Sequence, residues 1–495
     1  MHATSDWLRA WRRFRPDAPA IYDVGTGRRW TYSQLADDAL AWAACLQKED
    51  IGPGDRVAVL AHNRGETFAL LFAVAELGAI LLPLNWRLSP AEMSWQIDHC
   101  GAKLLIADAA CAEAAAGVAG GLGLPVRSME EPPEANRQPV NAPGSALGDT
   151  WMLMYTSGST GRPKGAMITH QQVHWNALNT ILACELTTKS STLTFAPMFH
   201  TGGMNCLSTP LLHRGGRIVV VPKLDAAQTL SLIATEGISH LMGVPTIYQL
   251  LADHPDFVLT DLSCVRDALC GGAALPLPLL QRYLDRGIPL RQGFGLTEIG
   301  PNCFSTPPHE VRRKLGTVGL PIHHIEARIV RPDDTECAPG EPGELLLRGP
   351  IVCGGYWDNP EASASSLTDG WFRTGDILSV DEEGYFTVRG RLKEMFISGG
   401  ENVYPAEVEA AIAEQDGVAL VAVVGVPDTR WGEVGCAFIE PTPNTTLSAA
   451  AIHAALDGRL ARFKRPKQII ILDELPRMGS GKIDKKTLKT MTLED

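Results

Sequence analysis

Downstream of Tyr32 the chain alternates short, continuously apolar runs with segments long enough to be helices. VAVLAH (57–62), LLIAD (104–108) and RIVVVP (217–222) are the clearest runs. A strand that is apolar at every position must be covered on both faces, because a sheet with one wet face would alternate polar and apolar side chains. The pattern therefore predicts an α/β chain whose mostly parallel sheets carry helices on both sides, a doubly wound arrangement. The longest apolar run, Phe68 to Leu84, is interrupted by Glu76, Gly78 and Pro83. A membrane-spanning helix wants about 20 uninterrupted apolar residues, so this run predicts a buried helix followed by a strand.

At 495 residues the chain is longer than one growing core sustains, and two or more domains are expected. From Ala109 to Gly123 the sequence reads as a helix, and Ser128 to Gly148 as an exposed connector. Past Leu320 the texture changes. EARIV, GELLLRG and GYFTVRG are short strands divided by Gly and Pro turns, which predicts a small antiparallel, barrel-like subdomain. Beyond GRLKE the helix-like AEVEAAIAEQ and the strand-like VALVAVVGVP and KQIIILDE follow. The boundary is placed at Arg391–Glu394, giving a large N-terminal domain, 1–392, and a small α+β C-terminal domain, 393–495.

Charge and cysteine content narrow the function classes. Lys plus Arg number 44 against 56 Asp plus Glu, a net charge of −12, which argues against broad binding of nucleic acid or anionic membrane. The 11 cysteines show no C-x-x-C pair, so reduced thiols and a cytoplasmic location are expected. Near the start, Trp7, Leu8, Trp11 and Phe14 recur at helical spacing beside Arg9, Arg12 and Arg13. With Asp6 and Asp17 breaking the basic character, this predicts a surface helix with an apolar face, not a targeting presequence.

Two lysines follow glycine-rich stretches. In WMLMYTSGSTGRPKGA an apolar strand runs into Thr156, Ser157, Gly158, Ser159, Thr160 and Gly161 and then reaches Lys164. Hydroxyls and glycine amides can donate to phosphate oxygens, and small residues let the backbone approach closely. The spacing is not that of a P-loop, since Lys164 lies three positions after Gly161 and AMITH reads as a returning strand. On composition alone the stretch could equally be a hairpin tip. The second lysine, Lys482 in RMGSGKIDKK, also fails that pattern, with Pro476 at the first glycine position and Ile483 after the lysine. By itself this segment reads as a solvated basic patch.

TSGSTGRPKG strongly resembles the signature loop of the adenylate-forming superfamily, which includes acyl-CoA synthetases, adenylation domains of peptide synthetases and beetle luciferases. Further motifs occur in family order over nearly the whole chain. PMFHTGG resembles the segment whose histidine or aromatic residue lines the acyl tunnel, which makes His200 the candidate gate. CGGAALP resembles the turn framing the adenine and acyl pockets, with Gly271, Gly272 and Ala273. GFGLTE, with Gly293, Phe294, Gly295, Thr297 and Glu298, resembles the segment that stacks on adenine, contacts the α-phosphate and holds Mg²⁺ through its glutamate. Many relatives have tyrosine where Phe294 stands, so stacking is kept and any hydroxyl contact is lost. Asp376 and Arg391 resemble the ribose-binding pair, Lys393 the hinge, and Ser398, Gly399 and Gly400 the loop that receives coenzyme A. Lys482 resembles the lysine that meets the reacting carboxylate and α-phosphate, while Lys164 serves the departing pyrophosphate.

The resemblance implies a two-step ligase using ATP, Mg²⁺ and coenzyme A: a carboxylic acid becomes an acyl adenylate, then a thioester. Met198, Met204, Met242, Ala273 and Ile299 are apolar or small, with Gly271 and Gly295 beside them. They favour an aliphatic or aromatic acid over an amino acid, whose ammonium would want an acidic partner. Fatty and aryl acids stay unseparated at this level. The acceptor is expected to be coenzyme A, with a free-standing enzyme loading a carrier protein as the alternative. Oligomeric state is not encoded visibly, and a symmetric homodimer is the common case among soluble enzymes.

Overall fold

The computed structural model describes residues 6–133, 144–156, 163–398, 401–443, 445–457, 459–478 and 482–492. The apolar runs become strands of two large mixed sheets. The six-stranded sheet is ordered Val126–Ser128, Leu104–Ala107, Arg56–Leu60, Ile80–Pro83, Thr150–Thr156, Lys164–Thr169, parallel except for its last pair. The nine-stranded sheet is parallel through its centre, where Pro19–Asp23, Arg217–Val220, Ser191–Thr194, His240–Gly243, Asp267–Cys270 and Leu290–Leu296 lie side by side.

The interrupted apolar run is the helix Glu66–Leu77 and the strand Ile80–Pro83, as its Gly and Pro punctuation predicts. Every residue of that helix except Glu76 is buried. One continuous core takes in Phe68, Leu71 and Phe72 from the helix, Val57 and Leu81 from the six-stranded sheet, and Ile21 and Ile218 from the nine-stranded one. The helix thus joins the two sheets. No helix among the described residues is long and apolar enough to cross a membrane.

The strands past Leu320 form a five-stranded antiparallel sheet in which Trp371–Val380 lies between Gly343–Arg348 and Phe386–Arg391. Beyond residue 395 a further sheet is built on the hairpin of Val418–Asp428 and Gly432–Pro441, with Gln468–Ile471 added in parallel. Its clusters, centred on Phe396, Val423 and Ile439 on one face and Val424 and Phe438 on the other, contain only residues from 396 onward.

The N-terminal helix, Asp6–Phe14, buries Trp7 and Leu8, and Trp7 packs edge-on against His213 at 4.4 Å. Phe14 departs from the expected apolar face and is 79% exposed. It is the last residue of the helix, beyond the surface that the first turn covers. All eleven cysteines are free thiols.

Candidate active site

The antiparallel pair of Thr150–Thr156 and Lys164–Thr169 sets Thr156 opposite Lys164, at the two ends of the glycine-rich stretch. Ser157, Gly158, Ser159, Thr160 and Gly161 lie outside the described residues, as do Gly399, Gly400, Gly479 and Gly481. At this end of the pair, three elements meet on one carboxylate. Glu298 follows the strand Leu290–Leu296, and its Oε1 accepts from the Tyr356 hydroxyl at 2.9 Å and from Thr156 Oγ1 at 3.4 Å. Lys164 Nζ stands 5.0 Å from the centre of the Tyr356 ring, a cation–π contact. Gln172 Nε2 donates to the Thr297 carbonyl at 2.9 Å and fixes the neighbouring turn. Gly295 is required by close approach, since a Cβ there would lie 2.1 Å from the Pro301 carbonyl oxygen.

Tyr356, which links Glu298 to Lys164, escaped the sequence reading. Its only local signal is the preceding Gly354–Gly355 pair, with Gly355 at φ +103°, and that marks a turn without saying what the turn presents.

Asp376 and Arg391 face each other across two antiparallel strands, and Arg391 Nε donates to Asp376 Oδ1 at 2.9 Å. The carboxylate is nearly enclosed, with the residue 3% exposed, and Oδ2 is buried with no hydrogen-bond partner among the described groups. Burial pushes its pKa up to about 6, against the pull of the Arg391 and Lys482 charges. An unpartnered buried carboxylate oxygen costs free energy unless a donor is supplied from outside.

Residues 482–484 pair with 476–478. Met478 N donates to the Lys482 carbonyl at 2.7 Å, Arg477 bridges Ile483, and Asp484 N donates to the Pro476 carbonyl at 2.8 Å. Asp484 then caps the helix Lys485–Met491. Lys482 itself is exposed. Desolvation by neighbouring protein lowers its pKa, with Arg391 adding to the effect and Asp376, Glu394 and Glu298 opposing it. The C-terminal lysine is therefore within electrostatic reach of Arg391, Asp376 and Glu298.

His200 precedes the short helix Thr201–Asn205. Its Nε2 is buried without a partner, and burial, followed by the positive charges of Lys482 and Arg87, lowers its pKa to about 4. The imidazole is neutral at physiological pH. Its loop is held by Asn63, which donates to the Ala196 carbonyl at 2.9 Å and accepts from Met198 N at 2.9 Å. The neighbouring glycines serve packing, because a Cβ on Gly203 would lie 2.3 Å from the Pro197 carbonyl oxygen.

Met204 and Ile299 are completely enclosed and Met198 is 4% exposed, whereas Met242 is half-buried beside Gly202. Gly271 and Gly272 leave backbone open next to Gly293, with Gly272 at φ +79°, and Ala273 is exposed. Phe294 is half-buried, edge-on to Phe304 at 5.7 Å. Lys393 is exposed in a turn where Glu394 N and Met395 N both donate to the Arg391 carbonyl at 3.0 Å. Ser398 is buried, paired with Glu401 and Gly432. Lys485 bridges Glu394 at 2.6 Å and Glu409 at 2.8 Å, tying the segment after that turn to the helix that follows Lys482.

The family model described as AMP-binding enzyme matches residues 8–357, and the AMP-binding enzyme C-terminal domain matches 407–482. The chain is 42% identical over 473 residues to a feruloyl-CoA synthase of Amycolatopsis sp., covering 95% of each. It is 37% identical to an indoleacetate–CoA ligase of Aromatoleum aromaticum, covering 98% of each. Among solved structures it is similar to ATP-bound MatB from Rhodopseudomonas palustris, with TM-score 0.90, 30% identity and 99% of each chain covered. The apo form of MatB gives a TM-score of 0.81 at 30% identity, covering 100% of this chain and 99% of that one.

Proposed function

Because the chain belongs to the AMP-binding enzyme family, whose models match most of its length, we propose that it is an ATP-dependent acid–thiol ligase that converts an aromatic or aliphatic carboxylic acid into its coenzyme A thioester. The observation that carries this reading is that Lys482 lies within electrostatic reach of Asp376, Arg391 and Glu298. The chain's greater likeness to ATP-bound than to apo MatB supports reading this arrangement as the adenylate-forming one.

A carboxylate is a poor acyl donor because its leaving group would be oxide. Its oxygen attacks the α-phosphorus of ATP, the bond to pyrophosphate breaks, and an acyl adenylate forms. A thiol then attacks the acyl carbonyl and AMP leaves. Charge develops on phosphoryl oxygens in the first step, so fixed cations and donors supply most of the help. Lys482 faces the reacting carboxylate and α-phosphate, Thr297 lies at the α-phosphate, and Lys164 with the stretch Thr156 to Gly161 receives the pyrophosphate. Phe294 offers a face to adenine, bounded by the open backbone of Gly271 and Gly272, by Ala273 and by Gly293.

Asp376 Oδ2 and Arg391 suit the ribose: the orphaned oxygen accepts a hydroxyl donor that the protein does not provide. Glu298 offers a hard oxygen ligand suited to Mg²⁺, which when bound would neutralise phosphate charge. Tyr356 and Thr156 occupy only its Oε1.

The boundary near Lys393, with 1–392 and 393–495 as the two bodies, belongs to the same proposal, as does acceptance of coenzyme A at Ser398, Gly399 and Gly400. Its support is that the hydrophobic clusters divide there. His200, neutral and with a free nitrogen, flanks the acyl side with Met242 and Gly295. The two aromatic-acid relatives favour an aryl or arylalkanoic acid over a long-chain fatty acid.

Pyrophosphate release across a panel of cinnamic, arylacetic and fatty acids tests the activity and the acid. Repeating it with coenzyme A and with a pantetheinylated carrier protein tests the acceptor. Acid-independent ATP turnover alone would refute the ligase reading.

Two further outcomes are expected. Tyr356→Phe keeps the ring beside Lys164 but removes the hydroxyl from Glu298, so acid-dependent ATP–pyrophosphate exchange should fall about tenfold, the worth of one hydrogen bond to a charged group. Unchanged exchange would show that Tyr356 does not position Glu298.

Asp376 must be ionised to accept both ribose hydroxyls, and its pKa is raised to about 6. The KM for ATP should therefore rise as pH falls through about 6, and Asp376→Asn should raise KM and remove that pH dependence. The same shift stabilises the folded chain fully below the ordinary carboxylate range and is lost as pH rises through about 6. A melting temperature of Asp376→Asn below that of the parent at neutral pH would contradict this.

A further inference from the structure

Away from the cleft, the C-terminal ends of two neighbouring parallel strands bring together a mixed set of donors. His62 follows Arg56–Leu60, and Asp108 with Cys111 follows Leu104–Ala107. Asp108 Oδ2 lies 3.2 Å from His62 Nδ1, and Cys111 Sγ lies 3.8 Å from the same nitrogen. All three ligand atoms fall within 4.8 Å of one another, the one such group of three among the described residues.

The backbone holds the set in place. Asp108 Oδ1 accepts from Cys111 N at 2.8 Å across a single 3₁₀ turn, and Oδ2 accepts from His62 N at 2.9 Å. Trp86 covers the imidazole at 4.6 Å between ring centres, while the His62 side chain stays 29% exposed and gives a path from solvent.

We propose that His62, Asp108 and Cys111 bind one thiophilic divalent cation of the zinc class, with water as the fourth ligand. Ligand atoms about 2.0 to 2.3 Å from a tetrahedral ion lie about 3.3 to 3.8 Å from one another, close to the two distances from His62 Nδ1, and Asp108 and Cys111 start within 4.8 Å of each other. Thiolate with imidazole selects such an ion over Mg²⁺, which takes oxygen ligands. On binding, Cys111 Sγ–H gives its proton to water and forms the metal–sulfur bond. Nδ1 gives up to water the proton that it donates to Asp108 Oδ2 in the metal-free chain, Nε2 takes one from water, and the freed Nδ1 lone pair binds the ion. The carboxylate donates through Oδ2 and keeps Oδ1 on the Cys111 amide. The site lies one residue from Asn63, the clamp on the His200 loop, yet none of its three residues belongs to the catalytic cleft.

The test is titration of chelator-treated enzyme with Co²⁺, followed by thiolate-to-cobalt charge-transfer absorption. One Co²⁺ per chain should bind and be displaced by one equivalent of Zn²⁺. Cys111→Ser should lose the band, and His62→Ala should bind at least about tenfold more weakly, since loss of even an outer-shell partner commonly costs that much. Pyrophosphate exchange by both variants shows that they are folded. Absence of the band in the parent enzyme would overturn the site, as would an undiminished band in Cys111→Ser, which would assign it to another of the ten thiols. Zn²⁺ should also raise the melting temperature of the parent but not of the variants, and an equal rise in all three would overturn the assignment.

Discussion

Lys482→Ala is expected to lower acyl-adenylate formation by about two to three orders of magnitude, the usual cost of removing one positioned group from a charged transition state. The reasoning is local. The lysine lies within electrostatic reach of Asp376, Glu298 and Arg391, and alanine would leave no mobile cation there to offset the charge that develops on the phosphoryl oxygens. Thioester formation from supplied acyl adenylate should stay within a few fold of the parent, because by then the phosphoryl bond has been made and AMP is the leaving group. Rapid-quench assays of the two half-reactions measure the split. Equal loss in both would remove the lysine from its assigned role and show that the variant damages the fold or the shared nucleotide site instead.

The second large effect is expected at the turn around Lys393, the proposed hinge. Lys393 is exposed, and among the described residues its side chain forms no ion pair, so replacing it should not disturb packing. Proline would fix φ near −65° and bias Leu392 towards extended backbone. Leu392 N donates to the Gly375 carbonyl, so the restriction falls where the C-terminal body is tethered. Rotation about a few backbone bonds is a common way to swing one body across another. Lys393→Pro should therefore leave adenylation within about threefold and slow thioester formation at least tenfold, while Lys393→Ala changes neither much. Full turnover by the proline variant would place the hinge elsewhere or remove the need for one.

The ion pair of Lys485 with Glu394 gives this swing a mechanical reading. It fastens the segment beyond the turn to the helix that follows Lys482, so under the proposed hinge torsion at 393 would carry Lys482 with that segment. Rigid transport suits a residue that has to enter and leave one site.

Most residues proposed for the cleft could be named before any coordinates, and the reason is chemical. Phosphate and ribose recognition by backbone amides, small hydroxyls and short polar side chains demands particular residue types at fixed local spacing. Thr156 to Lys164, Gly293 to Glu298, Asp376 and Lys482 accordingly carry their signal in the primary structure. Tyr356 carried none: a tyrosine after two glycines is ordinary, and its importance comes from Glu298 and Lys164, 58 positions away in one case and on the far strand of an antiparallel pair in the other. Asp376 could be proposed as a ribose ligand from its resemblance, but its orphaned oxygen and raised pKa follow from enclosure, which spacing does not report.

The acyl pocket shows the opposite imbalance. Apolar type pointed to Met204 and Ile299 together with Met242, yet only Met242 keeps a partly open surface, because the other two turn into the core. Hydrophobicity marks a residue as burial-seeking without saying whether protein or substrate will cover it. Phe14 makes the same point in reverse, with an apolar side chain at the end of its helix left to solvent.

The amino-acid sequence by itself determined the strands, the helices between them and the chemical type of the nucleotide-facing residues, since these rest on local periodicity and on donor and acceptor groups close in the chain. Tertiary structure alone decided which distant groups share a charge environment: Lys482 with Asp376 and Glu298, Tyr356 between a lysine and a carboxylate, and His62 with Asp108 and Cys111. Electrostatic energy and desolvation depend on separation in space and on exclusion of water, and both are set only when the sheets and the C-terminal body have packed.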